Sequence, residues 1–226
     1  MDFISPGVSA SPTQTGRKLL FLISFFTGLV GFGLSSSANA QVKREKSSAK
    51  SPSKGSKSIK KEAKMKTEIA TLAGGCFWGV EELLRQLKGV KRTEVGYTGG
   101  HTLSPTYEDV KKGNTGHAEA IEVEFDPAIV SYEEILKYFF RLHDPTTLNR
   151  QGNDIGTQYR SSIFYHSPEQ QALALKIKNE IDKSGKWKKP LSTEIVAATP
   201  FYPAETYHQD YLQKNPGGYT CHYLRD

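Results

Sequence analysis

From Gln41 to Lys66 the chain reads QVKREKSSAKSPSKGSKSIKKEAKMK, a run with no apolar face to bury. Ten Lys and Arg residues stand against Glu45 and Glu62, so the run carries +8. A segment this charged and this poor in large apolar side chains cannot offset the entropy of ordering, and it is expected to be disordered. Folding must then come from the flanks. Residues 67–226 form the longer flank, and 160 residues bury a core without disulfide staples.

The shorter flank reads differently. Arg17 and Lys18 precede LLFLISFFTGLVGFGL (Leu19–Leu34), and SSSANA follows, ending at Ala40. A basic start, a short apolar run and a small-residue ending are the parts of a secretory signal peptide, so residues 1–40 are expected to be cleaved, leaving Gln41 first. The apolar run is shorter than the about 18–20 residues of a spanning helix, though an uncleaved anchor at residues 19–34 is the alternative. No later segment is apolar enough to span a bilayer. The product is expected to be exported, either periplasmic or secreted. For the basic run, residues 41–66, a solvated tether is the plain expectation and an anionic surface the alternative; nucleic acid is not an expected partner of an exported chain. The isoelectric point near 9.1 comes from this tether. The chain carries +6 in all, with +8 on residues 41–66 and +1 on residues 1–40, which leaves −3 on residues 67–226.

Within residues 67–226, Thr67–Gly75 reads as a strand entering a glycine turn, and Cys76–Leu87 as a helix with Val80, Leu83, Leu84 and Leu87 on one side. Gly89–Gly100 contains a second strand, and His117–Pro127 a third, half-buried one. Ser131–Asp144 opens with a capping box, Ser131 with Glu134 three residues on. Tyr159–His166 is a strand, Ser167–Gly185 a helix with serine cap and glycine stop, Ser192–Ala198 a last strand and Ala204–Asn215 a last helix. Pro216–Asp226 is expected to be a mobile coil. Interleaved strands and helices imply a two-layer domain, α/β or α+β, with a mixed sheet. There is no internal repeat.

Two cysteines, Cys76 and Cys221, are all the chain has. In an exported protein a structural disulfide is one reading. The other starts from GGCFWGVEE, Gly74–Glu82. A thiol in the first turn of a helix meets free N–H groups and the positive end of the dipole, which lowers its pKa toward neutrality and favours the nucleophilic thiolate. Gly74 and Gly75 would let another molecule approach the sulfur, and Phe77 and Trp78 would wall it. Glu119, near the start of a strand, either points outward like Glu122 and Glu124 or points into a pocket, where burial would hold it protonated as a proton donor. The loop His143–Ser161 carries Asp154 and Tyr159, and a further loop tyrosine, Tyr107, offers a hydroxyl donor. The six histidines are scattered, without HExxH or CxxC, so no metal site is expected, and no phosphate-cradling glycine loop is present.

Seven ordered motifs, GGCFWGVE, GYTGG, PTYEDV, TGHAEAIEVEFDP, HDPTTLNRQGNDIGTQYRS, ATPFYPAE and NPGGYTCH, resemble the type A peptide methionine sulfoxide reductases from about Thr67 to the C-terminus. The resemblance implies an α+β fold: a two-layer sandwich with a mixed β-sheet flanked by helices and a ferredoxin-like core. It implies reduction of the S-epimer of methionine sulfoxide, in oxidised proteins and as the free amino acid. By residue, it implies Cys76 as nucleophile, Phe77 and Trp78 as the methyl pocket, Glu119 as proton donor, Tyr107 and Tyr159 as hydrogen bonds to the sulfoxide oxygen, and Asp154 as a further polar group of the site. Cys221 would resolve the Cys76 sulfenic acid as a disulfide. No cofactor is implied; the reductant is an external dithiol, thioredoxin or, for an exported chain, a thioredoxin-like domain. A monomer is expected. Where some members carry two cysteines in this tail, GYTCHYLRD has Cys221 alone.

Two other functions suit the same residues. A Cys-His hydrolase of cell-wall peptides needs a base histidine near Cys76, for which His117 and His208 are candidates. A non-catalytic surface-binding module would keep Cys76 and Cys221 as a permanent disulfide.

Overall fold

Period-two burial organises the central strands. In the computed structural model, which describes residues 66–226, β1 (Glu68–Gly74) lies between its neighbours, with Ala70 and Leu72 turned into the main core and Ala73 toward the opposite face. The first helix, α1 (Phe77–Arg85), leaves β1 through the glycine turn and leads to β2 (Val90–Thr98). A short helix α2 (Tyr107–Lys111) precedes β3 (Ala118–Phe125), and α3 (Tyr132–Leu142) follows it. A small hairpin, β4 (Arg150–Gln151) with β5 (Asp154–Ile155), and a 3-10 turn at Thr157–Tyr159 lead into β6 (Ser161–Tyr165). The chain finishes with α4 (Pro168–Lys183), β7 (Glu194–Ala197), β8 (Tyr202–Pro203) and α5 (Tyr211–Lys214).

The six-stranded sheet runs β7-β6-β1-β3-β2-β8. Every pair is antiparallel except β6 with β7, so the sheet is mixed. The inner four strands are joined as β1-α1-β2-β3-α3-β6, with β3 between β1 and β2: this is the split βαβ arrangement of a ferredoxin-like core. Val80 and Leu84 of α1, Ile135, Leu136 and Phe139 of α3 and Ala174 and Ile177 of α4 pack with Leu72, Val95, Ile121, Val123 and Phe125 of the sheet. Each large apolar side chain so buried contributes about 1.5–3 kcal/mol. The other face has a smaller cluster of Ala73, Ala118, Ala120 and Phe164, with Phe201 against it. The fold is the expected α+β sandwich.

Several local expectations change. The last helix does not begin at Ala204: it is the single turn Tyr211–Lys214, entered through Asp210 in the left-handed region. Side chains before it are committed elsewhere. Glu205 accepts from the Tyr107 N–H (2.9 Å), and Gln209 bonds both the N–H and the C=O of Val95. Tyr107 is not in a loop but opens α2, which Thr106 and Asp109 cap reciprocally. The coil Pro216–Asp226 lacks helix and strand yet is docked: His222 is buried, and the Arg225 N–H donates to the Arg141 carbonyl at 2.8 Å. The expectations for residues 1–40 and for nearly all of 41–66 lie outside the described residues. Among the described residues no helix is long and apolar enough to cross a membrane.

Candidate active site

The end of β1, the start of α1 and the start of β3 meet at one small cavity of about 90 Å³, lined by Cys76, Phe77, Trp78, Tyr107, Glu119, Asp154, Tyr159 and Tyr219. All seven residues expected to line a site besides Cys221 are there, and Tyr219 is added. A liquid water occupies about 30 Å³, so the cavity takes a group of only a few heavy atoms. A larger open hollow of about 650 Å³, lined by Glu68, Tyr132, His166 and Gln170 among others, contains none of these residues.

Glu119 reaches the cavity by strand parity. It shares its face of β3 with Ile121, Val123 and Phe125, all in the core, whereas Glu122 and Glu124 occupy the opposite face. Only 3% of it is exposed. Its Oε2 accepts the Phe77 N–H at 3.2 Å, one of the free donors at the start of α1. Burial pushes its carboxyl up to about 8, with the Phe77 N–H pulling the other way and Asp154 adding to the rise. At neutral pH Glu119 is therefore mostly a neutral acid.

Cys76 sits one residue earlier than expected, as the N-cap of α1 rather than in its first turn, and is 6% exposed. Its thiol is pushed strongly up, not down. Burial is the largest cause and the Glu119 carboxylate the next, outweighing the Trp78 N–H, which favours the thiolate. Protonation of Glu119 removes the second cause. Tyr107 is pushed up to about 12, by burial first and then by Glu119 and Cys76, and Tyr159 is raised by burial and Glu119. Both remain neutral phenols able to donate.

The aromatic wall is fixed from behind. Trp78 donates its indole N–H to His208 Nδ1 at 3.0 Å and stacks on Tyr211, ring centres 3.8 Å apart. Phe77 lies against Tyr97 and His208. The glycines of the motif are packed closely by the protein itself. A Cβ on Gly74 would lie 2.9 Å from the Phe139 ring, and one on Gly75, at φ +102°, would lie 2.6 Å from Gln151. They make room for the protein's own side chains.

Asp154, on β5, accepts the Tyr219 hydroxyl at 3.1 Å, and Cys221 Sγ lies 3.5 Å from its Oδ2. Cys76 and Cys221 are both free thiols. Neither histidine proposed as a hydrolase base lines the cavity. His117 accepts the Gly100 N–H at Nδ1 and donates to Thr102 O, and His208 is held by Trp78. Tyr219 was not singled out in the sequence; a hydroxyl two residues before a cysteine on a tail that folds back is a signal of position only. The α2 cap was legible, since Thr106 and Asp109 have capping-box spacing.

A family model described as peptide methionine sulfoxide reductase matches residues 68–226. The peptide methionine sulfoxide reductase MsrA of Methanosarcina mazei is 60% identical over 147 residues, 65% of this chain and 70% of that protein. Among solved structures, the reduced form of Mxr1 from Saccharomyces cerevisiae matches with a TM-score of 0.68 and 42% identity, covering 71% of this chain and 93% of that one. Mxr1 in complex with Trx2 matches with a TM-score of 0.50 and 31% identity, covering 75% and 97%.

Proposed function

The chain belongs to the peptide methionine sulfoxide reductase family, and from that premise we propose how its residues divide the reaction. The activity is the thiol-dependent reduction of methionine sulfoxide to methionine. The observation that carries the division is the meeting, around one cavity, of a buried thiol, a buried carboxyl held up to about 8 and two half-buried neutral phenols.

A sulfoxide oxygen leaves sulfur only when protonated. Glu119 gives it that proton, and Tyr107 and Tyr159 hold it by their hydroxyls. Phe77 and Trp78 enclose the methyl group, and the small cavity takes the methylsulfinyl end while the rest of the residue stays outside. The Cys76 sulfur attacks the sulfoxide sulfur and takes over the oxygen. Methionine sulfur gains two electrons, Cys76 becomes a sulfenic acid, and the thiol proton restores the one Glu119 gave. Cys221 then attacks the sulfenic sulfur; a disulfide forms, and the hydroxyl leaves as water with the Cys221 proton. An external dithiol reduces the disulfide. The structure of Mxr1 with Trx2 supports a thioredoxin-like donor. The substrate is the S-epimer, protein-bound or free. Residues 1–40 serve export and residues 41–66 a tether, so that the donor is a thioredoxin-like domain outside the cytosol.

Incubation of the protein with dithiothreitol and both sulfoxide epimers tests the reading. Methionine is expected from the S-epimer alone, and from neither with Cys76→Ser. Consumption of the R-epimer only, or of neither epimer, would sink it.

A further inference from the structure

The docked tail has one buried side chain. Of residues 216–226 only His222 is buried, at 7% exposure, while Tyr223 and Leu224 beside it are exposed. Its Nε2 lies 2.7 Å from the carbonyl oxygen of Gly74, two residues before Cys76. A carbonyl only accepts, so Nε2 carries the hydrogen, and Nδ1 keeps a lone pair facing Cys221 Sγ at 3.6 Å. The surface that receives the ring is made of glycine. A Cβ on Gly75 would lie 3.2 Å from His222 Nε2, and one on Gly79 would lie 2.5 Å from its Nδ1 and run into the Thr220 hydroxyl. Gly79 is helical with ordinary backbone, so its conformation does not require glycine; the tail does.

We propose that His222 is a positioning residue for the resolving half of the cycle: its ring anchors the tail in the seat formed by Gly74, Gly75 and Gly79 and so presents Cys221 to Cys76. The inference rests on Cys221 being the resolving thiol, as proposed above. Cys221 Sγ lies 3.5 Å from Asp154 Oδ2, and Asp154 lines the same cavity as Cys76. Burial holds the imidazole down to about 4, so at neutral pH it stays neutral and keeps the Nε2–H that Gly74 accepts. The step it serves is Cys221–SH plus Cys76–SOH giving the disulfide and water. His222 is neither oxidised nor consumed in it.

Three variants test this in single-turnover experiments that follow methionine, trapped sulfenic acid and the loss of two thiol hydrogens by mass. His222→Ala is expected to form methionine at the wild-type rate but the disulfide about tenfold more slowly, the effect of one lost buried hydrogen bond, with sulfenic acid trapped in between. His222→Gln keeps an N–H donor within reach of Gly74 O but has no ring nitrogen facing Cys221, and it should restore most of the disulfide rate. Gly79→Ala displaces the tail from the other side without straining the helix and should reproduce the slow step, which carries the test if His222→Ala fails to fold. A wild-type disulfide rate in His222→Ala or Gly79→Ala overturns the proposal. Equal slowing in the Ala and Gln variants also overturns it, since the ring would then act as a base rather than an anchor. If instead Cys221→Ser cycles fully with thioredoxin, the resolving role of Cys221 itself fails, a result separate from either.

Discussion

At the scale of single residues, Glu119 shows how a charged side chain becomes an acid at neutral pH. Parity on β3 turns it inward with Ile121, burial raises it, and one N–H from α1 keeps it from rising further. Its sign is that of a raised carboxyl: donor-competent below about 8, and lost as an acid above it. The single-turnover rate of methionine formation is expected to fall as pH rises through about 8. Glu119→Gln should lower that rate by about 10²–10⁴-fold and remove the descending limb. Linkage runs the same way. The folded state binds this proton more tightly than the unfolded one, so the stability it contributes is lost between the ordinary 4.5 and about 8. The same variant should therefore unfold at a higher urea midpoint than wild type at pH 9. Period two along AEAIEVEF already contains this inward placement, because Glu119 keeps step with Ile121, Val123 and Phe125. The direction of the Cys76 shift was not legible. It rests first on burial and then on Glu119, which is 43 residues away in sequence and is brought beside it only by the sheet.

Apart from α2, elements with local signals were read correctly, and the last helix, whose residues are held by distant partners, was not. Ser131 accepts the Glu134 N–H at 3.2 Å while Glu134 accepts the Ser131 N–H at 2.8 Å, so α3 begins where the capping box says. Ser131→Ala is expected to cost about 1 kcal/mol in urea unfolding and to leave the first turnover unchanged, because the cap is at the exposed end of the helix. Ala204–Asn215 has good helical composition, yet only its last four-residue turn is helix. Glu205 and Gln209 gain more by satisfying Tyr107 and the edge of β2 than by extending a helix, and no local pattern announces those partners. The loop His143–Ser161 was recognised as bearing site residues. Its hairpin was not, since two-residue strands carry no periodicity.

For the whole molecule, the core, the cavity and the family match all fall within residues 68–226. Removal of residues 1–66 is thus expected to leave the urea unfolding free energy within about 0.5 kcal/mol, as for other changes away from the packed core. It should also reverse the chain's retention at pH 7 from cation to anion exchanger, since residues 67–226 carry −3 against +6 for the chain. This division into a charged run and a foldable remainder was plain in composition; the return of the C-terminus onto α1 was not, because a glycine-rich tail offers no periodicity to read. That return has a consequence for the site. Tyr219 closes one side of the cavity, and Cys221 follows it on the same short coil. On the proposed resolving role of Cys221, any movement of this coil toward Cys76 carries Tyr219 with it. A wall of the cavity and the proposed resolving thiol thus belong to one strap, and a substitution that loosens its seat is felt at both.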